Sequence, residues 1–229
     1  MLSGEDIAGI FDSTTEQAAS ETWSRCRTGR ITASRCGHIL RSINRNTFPD
    51  SLFKTIYGLY RFSTPAMEHG LYYERTAIEL YQMERKVEVK PAGLMLSRNG
   101  IFGCSADGLL DLADSAFEGQ TVNNLGLVEV KCPFKHRSNS ISEALEDPNF
   151  CLDSHRILKK SHPYWDQVQM CLYLSRRAYC DFVVYTFVEL NICRVYIDPQ
   201  WSLNFAKLFN FYRQKFLPNL AKFNGKMPE

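Results

Sequence analysis

The sequence predicts an α/β protein with a central mixed β-sheet flanked by helices. Three observations carry this. The stretch Gly126-Leu127-Val128-Glu129-Val130-Lys131-Cys132-Pro133-Phe134 reads as a short buried strand, with β-prone apolar residues and a proline that stops the ladder. Residues 67–85 carry the clearest helical pattern in the chain. Residues 182–188 and 192–197 are strand-like runs joined by a tight connection, followed by a helix over 201–222.

The elements before the central strand follow in order. Residues 1–12 read as a loose start. Ser13 caps a helix that runs to about Arg25, with Glu16 as its capping-box partner. Thr28-Gly29 breaks that helix, and a second one runs toward Ile43 with Thr32 or Ser34 as its cap. A helix over 51–60 comes next, then a break at Ser63-Thr64-Pro65. In the 67–85 helix, Leu71, Ile78 and Tyr81 mark one apolar face, and Glu74 falls on that same face. Residues 87–90 and 93–96 read as strands separated by Pro91. A further strand from Ile101 bends at Asp107, which precedes Gly108. The segment 111–124 is polar and acidic, a loop or hairpin tip.

After the central strand comes a basic stretch, Lys135-His136-Arg137, then a helix near 141–145 and an unpatterned loop over 147–160. Pro163 opens a helix to about Leu174, with Tyr164, Gln167 and Cys171 on one face. The last helix carries a stripe of Phe205, Leu208, Phe209, Tyr212, Phe216 and Leu220, read as core packing or a subunit contact.

Composition bounds the function. At 229 residues and 45% apolar content, the chain is long enough to bury a sizeable core, as one domain over 1–229. The net charge of +2 points to no partner, but its distribution is uneven. Arg25, Arg27, Arg30, Arg35, Arg41 and Arg45 lie between Thr22 and Phe48 with no acidic residue among them. That run is either an anion-binding surface or a solvated basic face. The eight cysteines form no C-x-x-C pair, which argues against a structural zinc site and for reduced thiols in an intracellular protein. No secretory signal pattern and no membrane-length apolar run is present, so secretion and a membrane partner are not expected.

The candidate chemistry lies in misplaced charges. Strand alternation puts Glu129 and Lys131 on one side of an apolar strand, either as a buried structural ion pair or as working groups. Glu74 sits on a buried helical stripe, and Asp107 lies among small and apolar residues. Three carboxylates and one lysine are the set a magnesium-dependent phosphodiesterase needs.

In this order, Asp107 with Glu129-Val130-Lys131 fits the PD-(D/E)XK nuclease signature, with Ala106 where a proline is usual. The chain resembles the lambda exonuclease / YqaJ-like viral recombinase family. The likeness rests on Trp23, Arg27, Ile31-Thr32-Ala33-Ser34, Gly70 with Glu74, Cys104-Ser105-Ala106-Asp107-Gly108-Leu109, Leu127 to Phe134, and Gln167-Val168-Gln169. It implies a restriction-endonuclease-like core. Asp107, Glu129 and the Val130 main-chain carbonyl would then bind Mg²⁺ or Mn²⁺, with Glu74 serving a second ion. Lys131 would position the attacking water and Gln167 would orient the site. Arg27, Ser34 and Ser105 match positions that grip a 5′-phosphate, and Arg137 is a further candidate DNA contact. The implied activity is 5′→3′ digestion of one strand at double-stranded DNA ends, with a homotrimer and a single-strand annealing protein as possible partners. An endonuclease on the same fold and a silent DNA-end-binding module are the alternatives. The 111–124 segment is longer than its counterpart in the phage enzyme, a departure that bears on substrate access.

Overall fold

The computed structural model describes residues 1–58, 63–111 and 125–220. Among the described residues, seven strands divide into two sheets. The smaller has the order β1-β3-β2, formed by Ile31–Thr32 (β1), Met95–Leu96 (β2) and Phe102–Cys104 (β3); β1 runs parallel and β2 antiparallel to β3. The larger has the order β4-β5-β6-β7, from Gly108–Asp111 (β4), Leu125–Lys131 (β5), Tyr179–Tyr185 (β6) and Leu190–Tyr196 (β7). Its pairings are antiparallel, parallel and antiparallel in turn, so the predicted mixed sheet is present. The strand expected to bend at Asp107 instead passes from one sheet to the other across Ser105, Ala106 and Asp107.

Alternation along β5 sorts two apolar layers. Leu127 joins the larger core with Ile39 of α3 (Ala33–Asn44) and Met170 of α7 (Pro163–Ser175). Val128 and Val130 face the other way, toward Ala77 and Tyr81 of α5 (Pro65–Arg85). The α7 helix matches its expected span, with Pro163 at the first turn and His162 Nδ1 accepting from the Tyr164 N–H. Fully buried Gln169 ties its other face to the end of β7: its amide donates to the Tyr196 carbonyl (2.9 Å), and its Oε1 accepts from the Asp198 N–H (2.8 Å).

Several expectations need correction. Residues 1–12 are not loose. Ser3 and Asp6 form a capping box that starts α1 (Gly4–Asp12), and Ser13 ends this helix rather than starting the next. The helix expected from Ser13 to Arg25 is absent because Thr14 turns inward, its hydroxyl accepting from the Leu94 N–H. Gln17 then adopts a left-handed φ of 45°, which no α-helix accommodates. A 3-10 turn at Gln17–Ala19 leads to α2 (Glu21–Arg27), capped by Ser20.

Within α5, Tyr81 and Ala77 are buried, but Leu71 is 63% exposed. The Leu71 turn overhangs a cavity instead of the sheet. Capped by Thr64 with Pro65 in its first turn, α5 also starts two residues before the expected Met67. Residues 87–90 form a single bridge, Lys90 to Leu109, rather than a strand. The helix expected over 51–60 is α4 (Asp50–Tyr57), ended by Gly58 in the left-handed region. The rest of that expectation, and the expected loop over 111–124 beyond Asp111, lie outside the described residues.

The helix near 141–145 is one short turn, α6 (Ile141–Ala144). The expected hairpin is present as β6 and β7, but its first strand lies three residues earlier than expected, because the chain turns at Thr186, whose N–H donates to the Glu189 carbonyl. The last helix divides into α8 (Leu203–Phe211), a π-helical turn at Tyr212–Phe216 and α9 (Leu217–Leu220). Of its apolar stripe, Leu208 and Phe216 are fully buried in the core.

The contact of α1 with the small sheet can be tested at Gly93. A Cβ there would stand 1.9 Å from the Phe11 carbonyl oxygen, so backbone would have to move. Gly93→Ala should destabilise the fold by about 1–3 kcal/mol, the usual scale for overpacking, with the α1 amides losing exchange protection first. Hydrogen exchange read by mass spectrometry checks this; unchanged α1 protection would refute the docking.

Candidate active site

The site forms where β4 leaves β5. The last rung of their ladder pairs Gly108 with Val128, so the β5 edge is open beyond that point. Asp107 fills the opening. Its N–H donates to the Val128 carbonyl (3.1 Å), and its Oδ2 accepts from the Val130 N–H (2.6 Å). The N–H and C=O of one strand residue face the same edge, so the Val130 carbonyl also points into this gap.

Glu129 and Lys131 extend from β5 on the face toward α7. Glu129 is 1% exposed, and its Oε1 accepts from Lys131 Nζ (2.5 Å) and from Gln167 Nε2 (2.5 Å). Its Oε2 is buried with no hydrogen-bond partner among the described residues. An orphaned carboxylate oxygen is costly to bury, so this atom calls for a cation or a donor. Lys131 Nζ also lies over the Tyr164 ring, 4.9 Å from its centroid. Glu74 approaches from α5, on the opposite side of the sheet, and lines the same cavity as Asp107, Glu129, Lys131 and Gln167.

The electrostatics show how crowded these charges are. Burial, then repulsion from Asp107, pushes the Glu129 carboxyl up to about 8. Burial and Asp107 likewise push Glu74 up to about 7. Asp107 is raised by burial, against the pull of Lys131. Burial works against the Lys131 charge, but Glu129 and Asp107 outweigh it and hold the ammonium protonated. Among the described residues, no three Asp, Glu, His or Cys groups are already closed into a metal cage. The carboxylates instead face one another's field across a shared cavity.

The other wall of this cavity is cationic. Arg27 stacks on Trp23, with its guanidinium carbon 3.9 Å from the ring centroid, and donates to Ser34 Oγ (3.1 Å). Trp23 Nε1 donates to Ser105 Oγ (2.8 Å), which links Arg27, Ser34 and Ser105 through the indole. Burial and neighbouring Arg35 lower the Arg27 pKa to about 10, and no carboxylate pairs with it among the described residues. Such a guanidinium is a seat for an anion.

Arg137 is not brought to this cavity. It stacks on Phe134 and donates to that residue's carbonyl (2.7 Å). Sequence reasoning missed Gln17, whose amide donates to the Ala92 and Ala106 carbonyls (2.9 and 2.7 Å) and braces the Asp107 segment. Nothing in its local pattern signals this, because the role comes from its left-handed backbone. Tyr164 was placed on the correct helix face, but its contact with Lys131 depends on the strand and helix meeting in space.

A match to the family described as YqaJ-like viral recombinase domain covers residues 22–178, more than half of the chain. Among solved structures, LHK-Exo, an alkaline exonuclease from Laribacter hongkongensis, in complex with dAMP superposes with a TM-score of 0.62 at 22% identity, covering 90% of this chain and 97% of that one. The Shutoff and Exonuclease Protein of Kaposi's sarcoma-associated herpesvirus gives 0.59 at 14% identity, over 92% of this chain and 72% of that one. A phage-related exonuclease from Haemophilus somnus 129PT gives 0.57 at 12%, over 85% and 96%. Comparison with curated proteins gives no match. At these identities the superpositions establish a shared fold.

The charge crowding predicts a pH dependence. Glu74 carries a proton below about pH 4.5 whether folded or unfolded; between there and about 7 the unfolded chain loses it while the folded chain keeps it. Stability of the metal-free protein therefore falls as pH rises through that window. Glu74→Gln should raise the metal-free Tm by at least about 3 °C at pH 8 and leave it nearly unchanged at pH 4.5. Thermal melts in chelator at the two pH values decide; an equal shift at both would assign Glu74 no buried charge cost.

Proposed function

The chain belongs to the YqaJ-like viral recombinase domain family, and we propose that it is a metal-dependent DNA exonuclease. In this reading it digests one strand of linear duplex DNA 5′→3′ and leaves 3′ single-stranded tails for annealing in recombination. The observation that carries the proposal is the shared cavity. It sets Glu74, Asp107, Glu129 and Lys131 against an anion seat of Arg27, Ser34 and Ser105. A 5′-phosphate in that seat would lie beside the carboxylate–lysine centre, the arrangement a terminal nuclease requires. LHK-Exo has been solved with dAMP, a mononucleotide of the kind such digestion would release.

The donor set fits a hard divalent cation. Glu129 offers a buried oxygen with no partner among the described residues, and three carboxylates repel one another for lack of positive charge. Asp107, Glu129 and the Val130 carbonyl would hold one Mg²⁺ or Mn²⁺, with Glu74 serving a second. Such an ion would supply charge for the scissile phosphate and lower the pKa of a water.

The chain's own groups do the rest. Gln167 fixes Glu129 through Oε1 and leaves the buried Oε2 without a partner among the described residues. Asp107 is oriented by the Val130 N–H rather than by a mobile side chain. Lys131, held protonated by its neighbours, acts as a donor that orients the attacking water and stabilises charge on the phosphate, not as the base. The Tyr164 ring limits where its ammonium can sit.

The deciding experiment compares 5′-phosphorylated linear duplex with covalently closed circles, each with magnesium and with chelator. Loss of the linear DNA alone, with magnesium only, is expected, and end-labelling should place the shortening at 5′ ends. Cleavage of circles would make the protein an endonuclease, and no cleavage would leave an end-binding module. Lys131→Ala should slow cleavage about 10²-fold or more while DNA binding persists. Arg27→Ala should chiefly reduce the preference for 5′-phosphate over 5′-hydroxyl ends; an unchanged preference in competition digests would remove Arg27 from the seat.

A further inference from the structure

A second cavity adjoins the anion seat and takes no part in the chemistry above. It has a volume of about 490 Å³ and shares Ser34 with the first. One wall is a single face of α3, where Ser34, His38 and Arg41 follow at helical spacing. Arg41 therefore stands about 10 Å along the helix from Ser34. The opposite wall is the approach to α7, with Lys159 and His162.

Arg41 and Lys159 supply the positive charge here, whereas His38 and His162, both lowered first by burial, line the cavity as neutral imidazoles near neutral pH. Among the described residues, none of His38, Arg41, Lys159 and His162 is within ion-pair distance of a carboxylate. Lys159 Nζ donates to the Pro148 and Phe150 carbonyls (3.1 and 2.8 Å), which fixes its position and leaves its charge unneutralised. Asp166 is the acid in the field of Arg41, but its Oδ1 accepts from Trp201 and it does not line the cavity. Burial and then Arg41, Lys159 and His38 lower the His162 pKa to about 4, as expected where positive charges converge without an anion. His162 also packs on Tyr164, with centroids 4.4 Å apart, and that ring in turn faces Lys131. His162 and Tyr164 thus form a line of side chains from the second cavity to Lys131.

We propose that His38, Arg41, Lys159 and His162 form a phosphodiester subsite that holds a single-stranded 5′ extension of the strand being cut. The inference rests on the exonuclease reading above. If the terminal phosphate of a blunt end sits at Arg27 and Ser34, the strand runs from there over the carboxylates, and the next anion position on the other side of Ser34 is this cluster. A blunt 5′ end has nothing to place there, whereas a 5′ overhang carries additional phosphates in the right direction. The subsite would let the protein engage resected or frayed ends whose 5′ strand protrudes.

The test is fluorescence anisotropy in chelator, over a range of salt, with 5′-phosphorylated duplexes that are blunt, carry a short 5′ overhang or carry a short 3′ overhang. The wild type should bind the 5′-overhang duplex about tenfold tighter than the blunt one. Arg41→Gln combined with Lys159→Gln should lose that gain while binding the blunt duplex like the wild type. Its salt slope on the overhang should fall by about 0.7 for each lost single-strand phosphate contact. The inference is overturned by no preference in the wild type, or by a preference that survives in the variant. It is also overturned by equal weakening on all three duplexes, or by weakening confined to the 3′ overhang, either of which places the cluster on the complementary strand. Because Lys159 also braces two carbonyls, Arg41→Gln alone decides if the double variant melts early. The two readings fail separately. Absent binding to every duplex, or cleavage of closed circles, removes the exonuclease reading. Blunt-end binding that depends on Arg27 but not on Arg41 or Lys159 removes only the subsite.

Discussion

The early end of β4 is the constraint on which the site depends. Had β4 continued, its backbone would have paired with the β5 edge past Val128 and sealed it. Instead the chain turns away at Asp107 toward the small sheet, and the open edge receives a carboxylate where a strand would have been. A residue held to the strand backbone twice, once by its own N–H and once by its carboxylate, is positioned by the fold itself, because the Asp107 side chain cannot rotate without breaking the link to Val130. The gap also lets a helix on the far face contribute, since Glu74 could not reach the Glu129 side through an unbroken sheet.

Charge accounts for the next level. Glu129 lies in the middle of an apolar layer, where a carboxylate costs several kcal/mol unless compensated. Lys131 and Gln167 compensate one of its oxygens and leave the other without a partner among the described residues. A purely structural ion pair would be under selection only for balance, yet this one is surrounded by two more carboxylates that raise its cost. The surplus negative charge is the physical ground for the proposal that the cluster serves chemistry rather than packing. The contrast with Asp181 is instructive. It is equally buried, but Tyr81 donates to it at 2.7 Å and Arg194 binds it at 2.7 and 2.9 Å, so its oxygens are satisfied. That network is structural, and it holds the rear of α5 against β6 so that the Glu74 end projects over the cavity.

The parts of the site carried by regular elements could be read from the sequence. Strand alternation placed Glu129 beside Lys131, and helical spacing placed Glu74 inward and Gln167 with Tyr164, because those periodicities are local. The same reasoning misjudged Leu71, since periodicity gives a face but not what the face meets, and the first turns of α5 extend beyond the sheet. The N-terminal region was misread for a different reason. Thr14 and Gln17 are spent on Leu94, Ala92 and Ala106, residues some 75 or more positions away, and a capping pattern contains no such information. Arg41 was legible as part of a basic run, but its opposing partner Lys159 lies in a segment with no period.

These differences in legibility follow from how the molecule divides its work. Asp107, Glu129 and Lys131 sit on or beside β5, where register fixes them relative to one another, and Glu74 joins them from α5. The cationic walls come from helix ends and connections: Arg27 at the end of α2, Ser34 at the start of α3, and Lys159 and His162 before α7. A reaction centre requires sub-ångström placement, which a sheet supplies and a surface connection does not. An anion seat tolerates more variation, because its attraction acts over several ångströms and each of its cations can adjust. In the proposed exonuclease, placing the rigid groups on the sheet and the adaptable ones on its approaches would let the centre stay fixed while the ends it accepts differ in length and shape.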